Sequence, residues 1–210
     1  MWEVRGREVR KERKMGSMEI KTASVMQRFG QVPQGAPVSR QVSYLKDMRE
    51  IYKSQDRDMA DETVMYEVFR YGPEDDTYPG HLCWGMTVMY PVTVCGEYNM
   101  TRGHFHQDLQ CAEIYYGMEG RGMLLLMDET GKTWAEKVEA GSVHYIRGIW
   151  GHRLINTGEE TFKVAACWPA SAGHDHGRVE KDPFAYRLYK GDTGIEIKNR
   201  RKERDDDRQL

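Results

Sequence analysis

From Thr63 onward, turn signals recur about every eight to twelve residues and cut the chain into short β-prone runs. Asp128-Glu129-Thr130-Gly131, Asn156-Thr157-Gly158-Glu159 and Gly191-Asp192-Thr193-Gly194 supply the Asn, Asp and Gly that tight turns need. The runs between them occupy residues 114–118, 123–127, 133–138 and 162–168. Another spans 81–94, with Pro91 marking a bend or strand end. Val64, Tyr66, Val68 and Arg70 alternate with Met65, Glu67 and Phe69, so each set takes one face of a strand. Many short strands with closely spaced turns fold as a sandwich or barrel, so the expected class is all-β.

At 210 residues the chain fits a single barrel domain with a substantial core. Residues 1–38 read as an N-terminal arm and linker: the first fifteen are rich in Arg, Lys and Glu, and Gly30, Pro33, Gly35 and Pro37 follow. Met15 and Met18 leave the translation start open. Residues 40–45 read as a first strand, and Asp47-Met48-Arg49-Glu50-Ile51-Tyr52 as a short helix with Asp47 as its N-cap. The barrel is expected over 39–197, and residues 198–210 as a charged, solvated tail. A net charge of −2 provides no global field for nucleic acid or membrane. No apolar run is long enough to span a bilayer, and Met1-Trp2-Glu3-Val4-Arg5 lacks the apolar stretch of a secretory signal. Cys83, Cys95, Cys111 and Cys167 form no Cys-x-x-Cys pair, which points to free buried thiols in a reducing cytoplasm.

Chemistry concentrates in two places. The first reads Thr101-Arg102-Gly103-His104-Phe105-His106, with Glu113 after a gap of six residues. The second reads Trp150-Gly151-His152-Arg153-Leu154-Ile155-Asn156. In a strand, His104 and His106 share a face. Two imidazoles, a third from another strand and a carboxylate suit one divalent transition metal: Fe, Mn, Ni, Co or Zn. Such a set leaves two octahedral positions for water or a chelating substrate.

The spacing of these segments resembles the two signature motifs of cupin barrels: His-x-His, Glu113 and Gly120, then Gly141, His152 and Asn156. About twenty residues separate the two motifs, enough for a hairpin. The longer gap before Glu113, together with Thr-x-Gly-His-x-His, is similar to the cupin-type glucose-6-phosphate isomerases of archaea and some bacteria. Tyr66-Glu67-Val68, Thr87-Val88-Met89-Tyr90-Pro91 and Pro169-Ala170-Ser171-Ala172-Gly173-His174-Asp175 extend the resemblance over roughly residues 40–190.

The resemblance implies a cupin barrel (a double-stranded β-helix or jelly roll) with short N-terminal helical segments. It implies a cytoplasmic homodimer that interconverts glucose 6-phosphate and fructose 6-phosphate. His104, His106, Glu113 and His152 would hold the metal. Glu113 would be either the base of an enediol route or, if hydride shifts directly, a ligand only. His174 would open the ring or move a proton, and Tyr115, on the face of Glu113, would hydrogen-bond substrate. Tyr66, Thr87, Thr101, Gly103, Trp168 and His176 would contact the sugar phosphate. Arg102 and Arg153 alternate with ligands, so a solvated barrel surface is expected for both. Trp168 and His176 replace tyrosines of the family pattern, and an extended 174–176 segment would set both histidines on one side. Those replacements keep a different sugar phosphate as an alternative substrate. A non-catalytic sensor and an oxygenase are the readings from other classes.

Overall fold

The computed structural model describes residues 30–35, 37–72 and 78–200. Residues 1–29 of the expected arm, with Met15 and Met18, and residues 201–210 of the expected tail lie outside the described residues. The strands are β1 (Val38–Tyr44), β2 (Val64–Tyr71), β3 (Leu82–Met89), β4 (Thr93–Val94), β5 (Glu97–Tyr98), β6 (Glu113–Glu119), β7 (Arg121–Met127), β8 (Thr133–Glu139), β9 (Val143–Ile146), β10 (Gly151–Asn156), β11 (Phe162–Pro169), β12 (Tyr186–Gly191) and β13 (Gly194–Asn199). Among the described residues one α-helix, α1 (His176–Lys181), precedes β12.

Six strands form an antiparallel sheet in the order β1-β2-β3-β11-β6-β9, and three more pair as β10-β7-β8. Met89, Tyr115, Ile146, Phe162 and Val164 of the first sheet pack on Leu124, Leu126, Val138 and Leu154 of the second. This is the cupin jelly roll, closed around one apolar core. Each fully buried leucine there contributes about 1.5–3 kcal/mol over its exposed state.

The reverse faces of β7 and β10 also carry buried apolar residues. Leu125, Met127 and Ile155 enter a second core with Leu45, Met48, Val179, Phe184 and Leu188. A third sheet, β13-β12-β5-β4, belongs to that outer layer. β10 is consequently buried at every position.

The turns obey local chemistry. β4 and β5 are joined by Cys95 and Gly96, both with positive φ (48° and 81°), as the tight hairpin between paired Val94 and Glu97 requires. Pro91 ends the run expected over 81–94, which splits into β3 and β4. Three expectations are corrected. Residues 47–52 form no α-helix; two 3-10 turns, Leu45–Asp47 and Arg49–Ile51, stand there, and Asp47 lies inside the first turn without capping it. Leu45 and Met48 are spaced three apart and both are buried, which the tighter helix satisfies. All four thiols are free, but Cys95 is exposed at its hairpin tip and Cys167 half-buried. β13 runs to Asn199, two residues into the segment read as tail.

Candidate metal centre and substrate cavity

His104 and His106 flank Phe105, whose ring goes into the outer core while the imidazoles point inward. The period of two holds although this segment is not a full strand: single bridges tie His104 to His152 and Phe105 to Asp175. Gly103, at φ 78°, turns the chain into this segment. β6 presents Glu113 and β10 presents His152. One ligand atom from each of His104, His106, Glu113 and His152 lies within 4.8 Å of all the others.

The protons tell which atoms face inward. His106 Nδ1 is 2.5 Å from the Cys111 carbonyl, and His152 Nδ1 is 3.3 Å from the Trp150 carbonyl. A carbonyl only accepts, so Nδ1 carries the proton and a neutral ring turns its Nε2 lone pair inward. The two Nε2 atoms stand 3.3 and 3.2 Å from Glu113 Oε2. The His152 approach lacks hydrogen-bond geometry: His104 Nε2 and His152 Nε2 are buried with no hydrogen-bond partner. Buried lone pairs that converge on a carboxylate fit a cation between them. The donor set and its carbonyl supports therefore suit a divalent metal.

Electrostatics agree. Burial, reinforced by the neighbouring imidazoles, holds His104 well below its usual range. Burial pushes His174 down to about 4, so it is neutral at neutral pH. Burial alone would raise Glu113, but its contacts with His106 and His152 outweigh that and hold it below the usual carboxylate range. Burial would lower His106, yet Glu113 and the Cys111 carbonyl raise it on balance. Burial and then the Glu113 charge push the Tyr115 phenol well above its usual value, so it remains a donor.

Above the cluster opens a cavity of about 430 Å³. Every residue expected at the substrate lines it: Tyr66, Thr87, Thr101, Gly103, Trp168 and His176, with Glu113, Tyr115 and His174. Thr101 Oγ1 accepts from the Leu154 amide at 3.0 Å, which anchors this wall to β10. Trp168 lays its indole over Gly85, where a Cβ would come within 2.8 Å of the ring. His174 and His176 share one side, with rings 6.2 Å apart and nearly parallel. The reason differs from the extended segment expected: His176 opens α1, Asp175 caps it by accepting from the Arg178 amide at 3.1 Å, and His176 Nδ1 donates to the Gly103 carbonyl at 2.7 Å.

Neither arginine beside the ligands matches the solvated surface expected. Arg153 lies on the buried reverse face of β10, over the Phe184 ring at 5.0 Å, and burial pushes its pKa down to about 10. Arg102 is half-buried, lines the cavity mouth and holds Glu50 at 2.7 Å and Glu180 at 3.4 Å. Arg70 and Gly85 are wall residues that the motifs did not point to. The alternation of Tyr66, Val68 and Arg70 was the signal that placed Arg70 on the cavity face.

Barrel and cluster together define a cupin of the metal-site class. Residues 40–205 match the family model of glucose-6-phosphate isomerase (GPI). The glucose-6-phosphate isomerase of Thermococcus gammatolerans is 36% identical over 162 residues, 76% of this chain and 84% of that protein. That of Thermococcus kodakarensis is 34% identical over 168 residues, 80% of this chain and 88% of its own. Among solved structures, oxalate decarboxylase from Bacillus subtilis overlaps 52% of this chain and 26% of its own, with a TM-score of 0.42 at 17% identity. The chain belongs to the glucose-6-phosphate isomerase family.

Proposed function

We propose that this chain is a metal-dependent aldose–ketose isomerase that interconverts glucose 6-phosphate and fructose 6-phosphate. The observation that carries the reading is a donor-lined cavity of about 430 Å³ that joins the four-ligand cluster to His174. That volume lies in the range of pockets that enclose small ligands. The names of the relatives support the same activity.

When bound, a divalent metal such as Fe, Mn, Ni, Co or Zn would polarise the oxygens on C1 and C2 of the sugar. His104, His106, Glu113 and His152 would hold it. Glu113 acts as a ligand, because both neighbouring imidazoles keep its carboxylate anionic and in place. His174, neutral by burial, takes the proton from the C1 hydroxyl as the ring opens and returns it to the ring oxygen. Tyr115 keeps its phenolic proton and donates to a substrate oxygen. Tyr66, Thr87, Thr101, Gly103, Trp168 and His176 position the rest of the molecule. Residues 39–197 form the barrel domain of a cytoplasmic homodimer. The exposed Ile114, Val143 and Tyr145 on the outer sheet face support a second copy there, with sedimentation as its measure.

The test is conversion of fructose 6-phosphate, followed by coupled detection of glucose 6-phosphate. Purified protein turns over, a chelator abolishes turnover, and added divalent metal restores it. His104→Ala/His106→Ala protein retains neither metal nor activity. A metal-loaded protein with no turnover would sink the reading. Trp168 and His176 favour a second reading, in which the same chemistry acts on another sugar phosphate. Conversion of that compound in preference to fructose 6-phosphate would establish it.

A further inference from the structure

We infer that Arg153 is a positioning residue: from behind the cavity wall it holds the Arg102–Gly103 peptide so that the Gly103 amide hydrogen faces the substrate; the inference rests on the isomerase reading above. β10 separates the two sides. Leu154 lines the cavity, while Arg153 turns to the outer core and is 5% exposed. Its guanidinium donates to the Arg102 carbonyl at 2.5 Å and to Met100 Sδ at 3.0 Å, and lies over the Phe184 ring. Its Nε is buried with no hydrogen-bond partner among the described residues. The nearby carboxylate, Glu97, is held by Arg187 at 2.6 Å. A guanidinium buried without a paired carboxylate is costly to stability. The one strong acceptor it meets is the Arg102 carbonyl.

That carbonyl and the Gly103 N–H belong to one planar trans peptide and point opposite ways. With the oxygen drawn back to Arg153, the amide hydrogen turns to the cavity, which Gly103 lines. Among the described residues the Gly103 amide meets no acceptor, which leaves it for a substrate oxygen. A charged donor on the carbonyl also polarises the peptide and strengthens its N–H as a donor. Packing keeps the contact close. A Cβ on Gly103 would come within 3.2 Å of Arg153 Cβ and Nε, so the glycine rests directly on the arginine. The flanking groups are tied down as well. The Arg102 side chain holds Glu50 and Glu180, and the Gly103 carbonyl accepts from His176 Nδ1 at 2.7 Å. The orientation of this one peptide then depends on Arg153.

Arg153→Met, with metal saturating, tests this. It removes the charge, keeps the length and suits the apolar surroundings of Met100 and Phe184. Exchange of a buried charge for an apolar side chain is often neutral or stabilising, so the melting temperature should not fall. KM for fructose 6-phosphate should rise about three- to tenfold, the weight of one hydrogen bond, with kcat within about twofold. Arg153→Lys keeps a charged donor and should fall between. In proton–nitrogen correlation spectra the Gly103 amide should shift when fructose 6-phosphate is added to wild type, and much less in Arg153→Met. A wild-type KM and a wild-type Gly103 shift in folded Arg153→Met would overturn the inference while the isomerase reading stood. A fall in kcat and melting temperature with KM unchanged overturns it too and makes Arg153 a packing residue. Should Arg153→Met not fold, wild type alone decides: a Gly103 amide indifferent to fructose 6-phosphate refutes the positioning role. Wild-type protein inactive on every sugar phosphate removes the isomerase reading instead, and the same titration still decides Arg153.

Discussion

His106 keeps its orientation because Cys111 offers its carbonyl to Nδ1 at 2.5 Å. That carbonyl is itself held by a close approach of chains. A Cβ on Gly148 would come within 2.5 Å of the Cys111 oxygen and 2.4 Å of the Leu109 oxygen. Gly148→Ala should displace the Cys111 carbonyl and weaken metal binding about 10–100-fold, as loss of a ligand's outer support does. Competition against a chelator measures it, and an affinity equal to wild type would refute the link. At this scale the sequence was most readable for the inward residues. His104 and His106 were legible because spacing fixes a face in extended backbone, and Glu113 and His152 joined them through the resemblance to the cupin motifs. Arg153 was not, since its fate depends on Phe184, thirty-one residues further on. Local alternation tells which face of β10 Arg153 takes, not what covers it.

The strands themselves were legible from turn chemistry, because each turn is encoded within about four residues. α1 was not: six residues with Gly177 inside carry weak propensity, and the Asp175 cap is the one local signal. The short 3-10 turns likewise depend on burial of Leu45 and Met48 against distant strands. Elements are also joined by ion pairs that no local pattern announces. Glu97 of β5 holds Arg187 of β12 at 2.6 Å and accepts from the Lys53 amide at 2.9 Å, with both side chains buried. Glu97→Gln should cost about 3–5 kcal/mol, because it removes one charge of a buried, hydrogen-bonded ion pair. Denaturant titration checks this, and a loss below about 1 kcal/mol would contradict it. On the outer face of β2, Glu67 accepts from Arg40 at 2.5 Å and from Tyr90 at 2.6 Å. The Arg40 hydrogen bond, with Tyr90 adding to it, holds its carboxyl below the usual range. A depressed folded pKa means stability that is fully present above the unfolded carboxylate range and is lost as pH falls through the folded value. Wild type should therefore lose stability below about pH 4.3 more steeply than Glu67→Gln. Parallel acid limbs in the two melting curves would count against it.

Over the whole molecule, the candidate ligands come from three separate stretches of chain, residues 104–106, β6 and β10, which a bound metal would join. An ion that binds only the folded arrangement adds stability by mass action, about 2.7 kcal/mol at a hundredfold excess over Kd. Calorimetry of metal-free and reloaded protein should show the melting temperature rise with metal concentration. A melting temperature indifferent to metal would mean that the cluster forms no native-state site. Total burial of β10 has a further outcome in time rather than in energy. A strand packed on both faces has no shallow opening, so its amide hydrogens should exchange with solvent only when the entire barrel comes apart. His152 rides on that strand, so between such rare events its backbone stays fixed beneath the ring.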